Sequence, residues 1–162
     1  MDFVPYFWNE RDGEQLSSHL KLLKANNVLD QRVIVGVINS SLFYWWFILL
    51  SNCRDLSFRE INNFPVGLDD MSDAVKKRLA ELADKLMLDL KKNAYRKRAF
   101  YKATGQVEYD EFYPRLSKPI IDEIDRVLAE HYGFTDEELD FIINYDIKYR
   151  MGDELGGDDG DA

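Results

Sequence analysis

The stretch 33–50, VIVGVINSSLFYWWFILL, is uncharged and almost wholly apolar over 18 residues. This length approaches that of a membrane span, but the polar residues at 39–41 interrupt its middle. We therefore expect a buried core helix with Asp30 as its N-cap, running to about Ser51. Its N-terminal part is a separate helix if the chain turns near Ser40. No membrane partner is expected.

Four further helices are predicted from residues that cap a helix at its start and residues that end it. They are a short helix from Ser57 to Phe64, a long helix over about 73–100, a helix from Ser117 to Gly133 and a helix from Thr135 to about Tyr149. Residues 1–10 are rich in aromatic side chains and favour a short extended segment. The fold class predicted is mainly α, with about five helices and a short β remnant at the N-terminus.

The composition limits the class of protein. The chain has 162 residues, enough for one domain or one domain with an appendage, and 46% of them are hydrophobic. Cys53 is the only cysteine, so an internal disulfide is excluded and a reducing cytoplasm is expected.

Charge is distributed unevenly along the chain. Residues 1–70 carry a net charge of −3 and residues 119–162 a net charge of −11, whereas residues 71–118, with 12 basic and 7 acidic groups, carry +5. Because salt screens charges beyond about 8–10 Å, a polyanion responds to this local field more than to the total of −9. A basic middle segment followed by an acidic end is therefore compatible with a nucleic-acid partner.

The densest chemical signal is the stretch 91–102, KKNAYRKRAFYK, which has six cations, three aromatic residues and no acid. Cations neutralise phosphates, and aromatic rings stack on bases. The alternative is a solvated helix end whose cations favour the C-terminal dipole. The candidate DNA-binding residues are Lys91, Lys92, Arg96, Lys97, Arg98 and Lys102, with Arg54 and Arg59 as weaker candidates.

Two other clusters of residues give weaker indications of function. The aromatic residues at 44–47 could hold a flipped base, but a place in the core is the more frequent role of such a cluster. Three of the acids in 136–140 fall in the first turn of a predicted helix, where the dipole favours them. We predict no catalytic residue and no metal site in this chain.

Several blocks of the sequence resemble a known family. They are NSSLFYWWF at 39–47, NCRDLS at 52–57, REI at 59–61 and NFP at 63–65, followed by GQVEYDEFYP at 105–114, SKPIIDEID at 117–125 and FTDEELDFIINYDIKYRMG at 134–152. Together they are similar to the C-terminal recognition region of adenine-specific DNA methyltransferases of restriction–modification systems, including the fused type IIG enzymes. The resemblance covers about residues 39–152.

The resemblance implies target-DNA recognition and packing against a separate catalytic domain. The family's methyl transfer uses S-adenosylmethionine, bound by a loop of the F-x-G-x-G kind, and an Asn-Pro-Pro-aromatic motif. Neither motif is in this sequence, and the nearest match, Asn63-Phe64-Pro65, lacks the second proline. No cofactor is therefore expected in this chain, although S-adenosylmethionine is expected for the full-length family.

In these terms the chain divides into four parts and has the character of a C-terminal piece, from a truncated gene or a split enzyme. The parts are a partial recognition-like region at 1–70, a long basic helix and loop at 71–116, a C-terminal helical pair at 117–152 and a disordered acidic tail at 153–162. Two alternatives stay open: a protein-interaction module whose acidic end binds a basic partner or the chain's own basic segment, and a non-functional remnant.

Overall fold

Helices dominate a mixed α/β fold in the computed structural model, which describes residues 3–16, 20 and 22–150. The elements are β1 (Phe7–Asn9), β2 (Gly13–Glu14), α1 (Val28–Ile38), α2 (Ser41–Leu50), α3 (Phe58–Asn63), α4 (Asp73–Lys92), β3 (Tyr95–Tyr101), β4 (Gly105–Glu111), a 3-10 turn (Pro114–Ser117), α5 (Lys118–Tyr132) and α6 (Asp136–Arg150). The prediction of a mainly helical chain is confirmed. The acidic tail predicted at 153–162 lies outside the described residues.

The apolar stretch forms two helices, as the alternative prediction had it. The N-cap of α1 is Asn27, not Asp30, because the Asn27 side chain accepts from the Asp30 backbone N–H at 2.9 Å. The break falls at Ser40, whose hydroxyl accepts from the Phe43 N–H and caps α2. No single helix among the described residues is long and apolar enough to span a membrane; α1 and α2 reach that length only together, across a 65° bend.

The core is built around α4, which packs against α1 on one side and α5 on the other. Its apolar residues recur every three or four positions, so one face is buried and the other carries charge. The large apolar side chains that are almost completely buried come from these three helices: Val33, Val37, Leu79, Leu86, Ile124, Val127 and Leu128. Removing one such side chain costs roughly 2–5 kcal/mol, so this packing stabilises the helical body.

The helix predicted over 73–100 is wrong in its second part. The helix ends at Lys92, with Asn93 as its C-cap, and residues 95–101 form strand β3 instead. The physical reason is that large apolar residues at helical spacing stop at Leu90, whereas Tyr95, Phe100 and Tyr101 favour a strand. The 71–116 segment is thus a helix followed by a β-hairpin.

The strands form a four-stranded antiparallel sheet in the order β2-β1-β4-β3. β1 at the N-terminus confirms the predicted extended segment, and it pairs with β4 about a hundred residues later. No described strand makes more than marginal backbone contact with a helix. Phe3 and Phe112 connect the sheet to the helical body by packing against the core.

A buried carboxylate joins α5 to α2. Asp125 is 2% exposed, and its Oδ1 accepts from the Leu42 N–H at the N-terminus of α2 at 3.3 Å. Its Oδ2 has no hydrogen-bond partner among the described residues. Burial raises the pKa of Asp125 to about 6, and hydrogen bonds from Ser41 and Leu42 offset this only in part.

Replacing Asp125 by Asn should change how stability depends on pH. The carboxyl has a pKa of 3.8 in the unfolded chain and about 6 in the folded chain, so ionisation favours unfolding as pH rises from 4 through 6. The free energy of unfolding of Asp125→Asn relative to wild type should therefore increase by up to about 3 kcal/mol between pH 4 and pH 7.5. Urea unfolding at both pH values measures this. Glu123→Gln, on the same helix but with a partly exposed side chain beside Lys85, is the control. A pH-independent difference for Asp125→Asn contradicts the expectation.

Candidate nucleic-acid interface

The basic stretch forms the edge of a β-hairpin. A turn over residues 101–104 is closed by the Thr104 N–H, which donates to the Tyr101 carbonyl at 3.3 Å. Gly105 follows in the left-handed region with φ +72°. A short turn with a left-handed residue at its end is typical of tight antiparallel hairpins. β3 is the edge strand of the described sheet, and all its residues except Ala99 are exposed.

Glu10, which follows β1, holds the turn of this hairpin. Its carboxylate accepts from the Gln106 N–H at 2.9 Å, and its own N–H donates to the Gln106 carbonyl at 2.8 Å. A Cβ on Gly105 would clash with the side chain of Glu10. Gly105 is therefore required both by its φ angle and by the close approach of Glu10.

The six predicted cations occupy three different positions. Lys91 and Lys92 end α4, Arg96, Lys97 and Arg98 lie on β3, and Lys102 lies in the turn. Since successive side chains of a strand point to opposite faces, Arg96 and Arg98 share one face of the sheet and Lys97 lies on the other.

The three strand cations are each paired with a carboxylate of β4. Arg96 Nε lies 2.7 Å from Asp110 Oδ1, and Arg98 Nε lies 2.9 Å from Glu108 Oε1. On the opposite face the Lys97 ammonium lies 3.2 Å from Glu111 Oε2. These pairs are partly exposed, and pairs of this kind contribute only about 0–1 kcal/mol each.

The same contacts affect the titration of these groups. A hydrogen bond to Asp110 raises the pKa of Arg96, and a hydrogen bond to Glu111 raises the pKa of Lys97. A hydrogen bond from the Tyr113 hydroxyl lowers the pKa of Glu111, and a hydrogen bond from Lys97 lowers it further. All these shifts favour the charged forms, so the pairs persist as ion pairs at neutral pH.

No carboxylate of the described residues pairs with the remaining cations of the stretch. The Lys91 ammonium lies 4.5 Å from the centroid of the Phe3 ring, a cation–π contact. Lys92 and Lys102 are exposed and have no carboxylate within 4.0 Å in the described part of the chain. From Tyr95 to Glu111 there are four cations and three carboxylates, which leaves a net charge of +1.

The weaker candidates lie elsewhere. Arg54 precedes α3 and Arg59 is in its first turn, and both are exposed. α3 makes no more than marginal backbone contact with the hairpin. The structure therefore does not bring these two arginines together with the cations of residues 91–102.

The aromatic cluster at 44–47 belongs to the helical body, as the core interpretation predicted. The Trp46 and Phe64 ring centroids are 5.6 Å apart, and those of Trp45 and Phe141 are 6.4 Å apart. Both tryptophans are partly buried and pack against the core. The two rings are therefore engaged in tertiary packing between helices.

A cavity on the sheet was not predicted from the sequence. It has a volume of about 550 Å³ and is lined mainly by aromatic side chains from β1, β3, β4 and their flanks. These aromatic residues are Tyr6, Phe7, Tyr101, Tyr109 and Phe112. They lie up to 106 positions apart in the sequence, so only the antiparallel pairing of β1 with β4 brings them together.

Comparison of the chain with protein-family models, curated proteins and solved structures found no match. The resemblance to adenine-specific DNA methyltransferases therefore stays a prediction from the sequence blocks given above.

Replacing Gly105 by Ala should destabilise the protein more than the same change at Gly133. Both glycines have φ +72°, but a Cβ at Gly133 meets nothing within 4 Å, whereas one at Gly105 meets Glu10. Gly133→Ala should cost roughly 1–2 kcal/mol from backbone strain alone, and Gly105→Ala should cost more. Thermal unfolding of both variants and of Glu10→Ala/Gly105→Ala tests this. Equal losses at the two glycines would show that Glu10 does not constrain the turn.

Proposed function

We propose that this chain is the DNA-recognition C-terminal segment of an adenine-specific DNA methyltransferase of a restriction–modification system. In this proposal a separate domain or chain binds S-adenosylmethionine and transfers the methyl group, since the motifs for that chemistry are not in this sequence. The sequence blocks at 39–65 and 105–152 support the family. The partner proposed for the hairpin is DNA.

The observation that carries the proposal is the exposed edge strand of the hairpin, flanked by two lysines that have no carboxylate partner among the described residues. Lys92 lies just before β3 and Lys102 just after it, so the two are at opposite ends of a seven-residue strand. A strand of this length spans roughly 20 Å, which allows two separate phosphates to be contacted. Such contacts release counterions and contribute affinity without sequence preference.

The paired cations contribute less in this proposal. Arg98 is the most exposed of them, with 69% of its side chain accessible, yet Glu108 already lies beside it. A phosphate that approaches Arg98 gains a cation but also meets the Glu108 carboxylate. The net attraction at such a pair is therefore smaller than at Lys92 or Lys102.

The salt dependence of DNA affinity tests whether Lys92 and Lys102 contribute more to binding than the paired cations of β3. Three unpaired cations predict a slope of log affinity against log salt of about −3, whereas six contacts predict about −5. Lys92→Ala/Lys102→Ala should reduce the slope by about 2. Arg96→Ala/Lys97→Ala/Arg98→Ala should reduce it by less, although it removes one more cation.

Titration of a labelled duplex between 50 and 200 mM salt measures these slopes. Lys76→Ala/Lys77→Ala, which removes two lysines near the start of α4, is the charge-matched control and should leave the slope unchanged. A flat salt response of the wild-type chain, or equal effects of the control and the Lys92/Lys102 variant, rules out the hairpin as the DNA contact.

Docking to a separate catalytic domain is the second candidate function, favoured by the end of α2. Leu49 and Leu50 are more than half exposed there, and so is Phe141, whose ring contacts Trp45. A group of adjacent exposed apolar side chains is more often a site of protein contact than a surface that stays in solvent. A surface of this kind suits an apolar protein partner rather than DNA.

Co-expression tests the docking surface. A catalytic domain encoded next to this chain should copurify with it, and Leu49→Ser/Leu50→Ser should abolish copurification while Lys92→Ala/Lys102→Ala leaves it intact. Circular dichroism shows whether the serine variant folds. Copurification that survives the serine substitutions in a folded variant contradicts this role of α2.

A further inference from the structure

The aromatic cavity lies beside the proposed DNA contact. Cross-strand pairing places Lys97 opposite Tyr109 and Tyr101 opposite Gly105, so Lys97, Tyr101 and Tyr109 share one face of the sheet. Tyr101 and Thr104 both line the cavity, and Lys102 lies between them in the turn. The cavity therefore reaches the hairpin turn, next to an unpaired cation.

The size and chemistry of the cavity suit a flat aromatic ligand. Its volume of about 550 Å³ is well within the range of small-molecule sites and exceeds what a single base requires. Most of its wall is apolar. Aromatic walls stack on the π-face that every base has.

The strands that carry the cavity are held together on their opposite face. Asp110 Oδ2 accepts from the Tyr6 N–H at 3.1 Å, and Oδ1 accepts from Arg96 at 2.7 Å. The Arg96 guanidinium in turn lies 3.7 Å from the centroid of the Tyr6 ring. These contacts lie on the face opposite to Tyr101 and Tyr109, and they join β4 to β3 and to the residue before β1. The strands that carry the aromatic wall are thus held in place, so a ligand meets a preformed wall and loses less entropy on binding.

We propose that this cavity receives one unstacked base of single-stranded DNA while the ammonium of Lys102 contacts a neighbouring phosphate. The inference rests on the proposed function and specifies the form of DNA that the hairpin binds. In duplex DNA the bases are stacked on one another and their faces are not available to the rings of Tyr101 and Tyr109. An unpaired strand presents both a free base and a phosphate at adjacent positions, which matches the adjacent cavity and cation.

Affinity for two oligonucleotides of equal charge tests the proposal. One is a short oligothymidine, and the other has the same phosphate backbone with abasic sites in place of the bases. Because stacking of a base contributes roughly 1–3 kcal/mol, the base-bearing strand should bind the wild-type chain about tenfold more tightly or better. Fluorescence anisotropy at fixed salt measures both affinities.

A pair of tyrosines on the same strand supplies matched variants. Tyr95 and Tyr101 are both 54% exposed and lie on the same face of β3, but only Tyr101 lines the cavity. Tyr101→Ala should reduce affinity for the base-bearing strand to that for the abasic strand, and Tyr95→Ala should not. Thr104→Trp, which adds bulk at the mouth of the cavity, should do the same as Tyr101→Ala. Affinity for the abasic strand should stay unchanged in all three variants.

The other outcomes contradict the proposed function, the place of the base in the cavity or the choice of a single strand. If neither strand nor a duplex binds with a salt dependence, the proposed function fails, and this inference fails with it. If the two strands bind equally in a salt-dependent manner, the hairpin contacts DNA but the cavity takes no base. A base preference that survives both Tyr101→Ala and Thr104→Trp, in variants with the wild-type circular dichroism spectrum, places the base elsewhere. Tighter binding of duplex than of single strand overturns the choice of an unpaired strand.

Discussion

The register between β3 and β4 is the constraint that determines the charge of the candidate surface. The two residues of each pair between β3 and β4 are equally far from Ala103 in the sequence, so Arg96 faces Asp110 and Arg98 faces Glu108. A shift of the register by one residue would move each side chain to the other face and separate these pairs. The basic stretch therefore does not act as six free cations. The fold places carboxylates of the next strand against three of them.

The register depends in turn on the N-terminal part of the chain. β1 pairs with β4 on the side opposite to β3, and Glu10 fixes the turn through Gln106. The same segment contributes Tyr6 and Phe7 to the cavity wall. A two-stranded hairpin by itself is marginally stable in water, so the added strands stabilise it. Residues at the start of the sequence thus organise a surface whose charges lie near residue 100.

Local signals in the sequence were sufficient to predict most of the helices. The Ser57 and Thr135 capping boxes form as predicted, with Glu60 and Glu138 as their reciprocal partners. Gly133 ends α5 in the left-handed conformation that the prediction requires. These features depend on neighbours three or four residues apart, which is why the sequence alone reveals them.

Contacts between distant segments were not predictable in the same way. The stretch 95–101 combines basic and aromatic residues and suits either a helix end or a strand, and pairing with β4 decides between them. The carboxylates at 108–111 were visible in the sequence, but their place opposite the cations required the position of the turn. Asp125 was expected simply as part of a helix, yet it caps α2 from 83 residues away. Long-range partners such as these have no signature at fixed sequence spacing.

The arrangement of the candidate surface favours recognition of more than phosphate. A surface that bound DNA by charge alone would gain from leaving Arg96, Lys97 and Arg98 unpaired, since each carboxylate beside them repels phosphates. Their pairing weakens non-specific attraction but fixes the strands that carry the aromatic wall, because cross-strand charge pairs stabilise the hairpin. Arg96 illustrates this best, as it contacts both Asp110 of β4 and the ring of Tyr6, which precedes β1. The cations on β3 are therefore better placed to hold the cavity in shape than to contact the backbone of DNA.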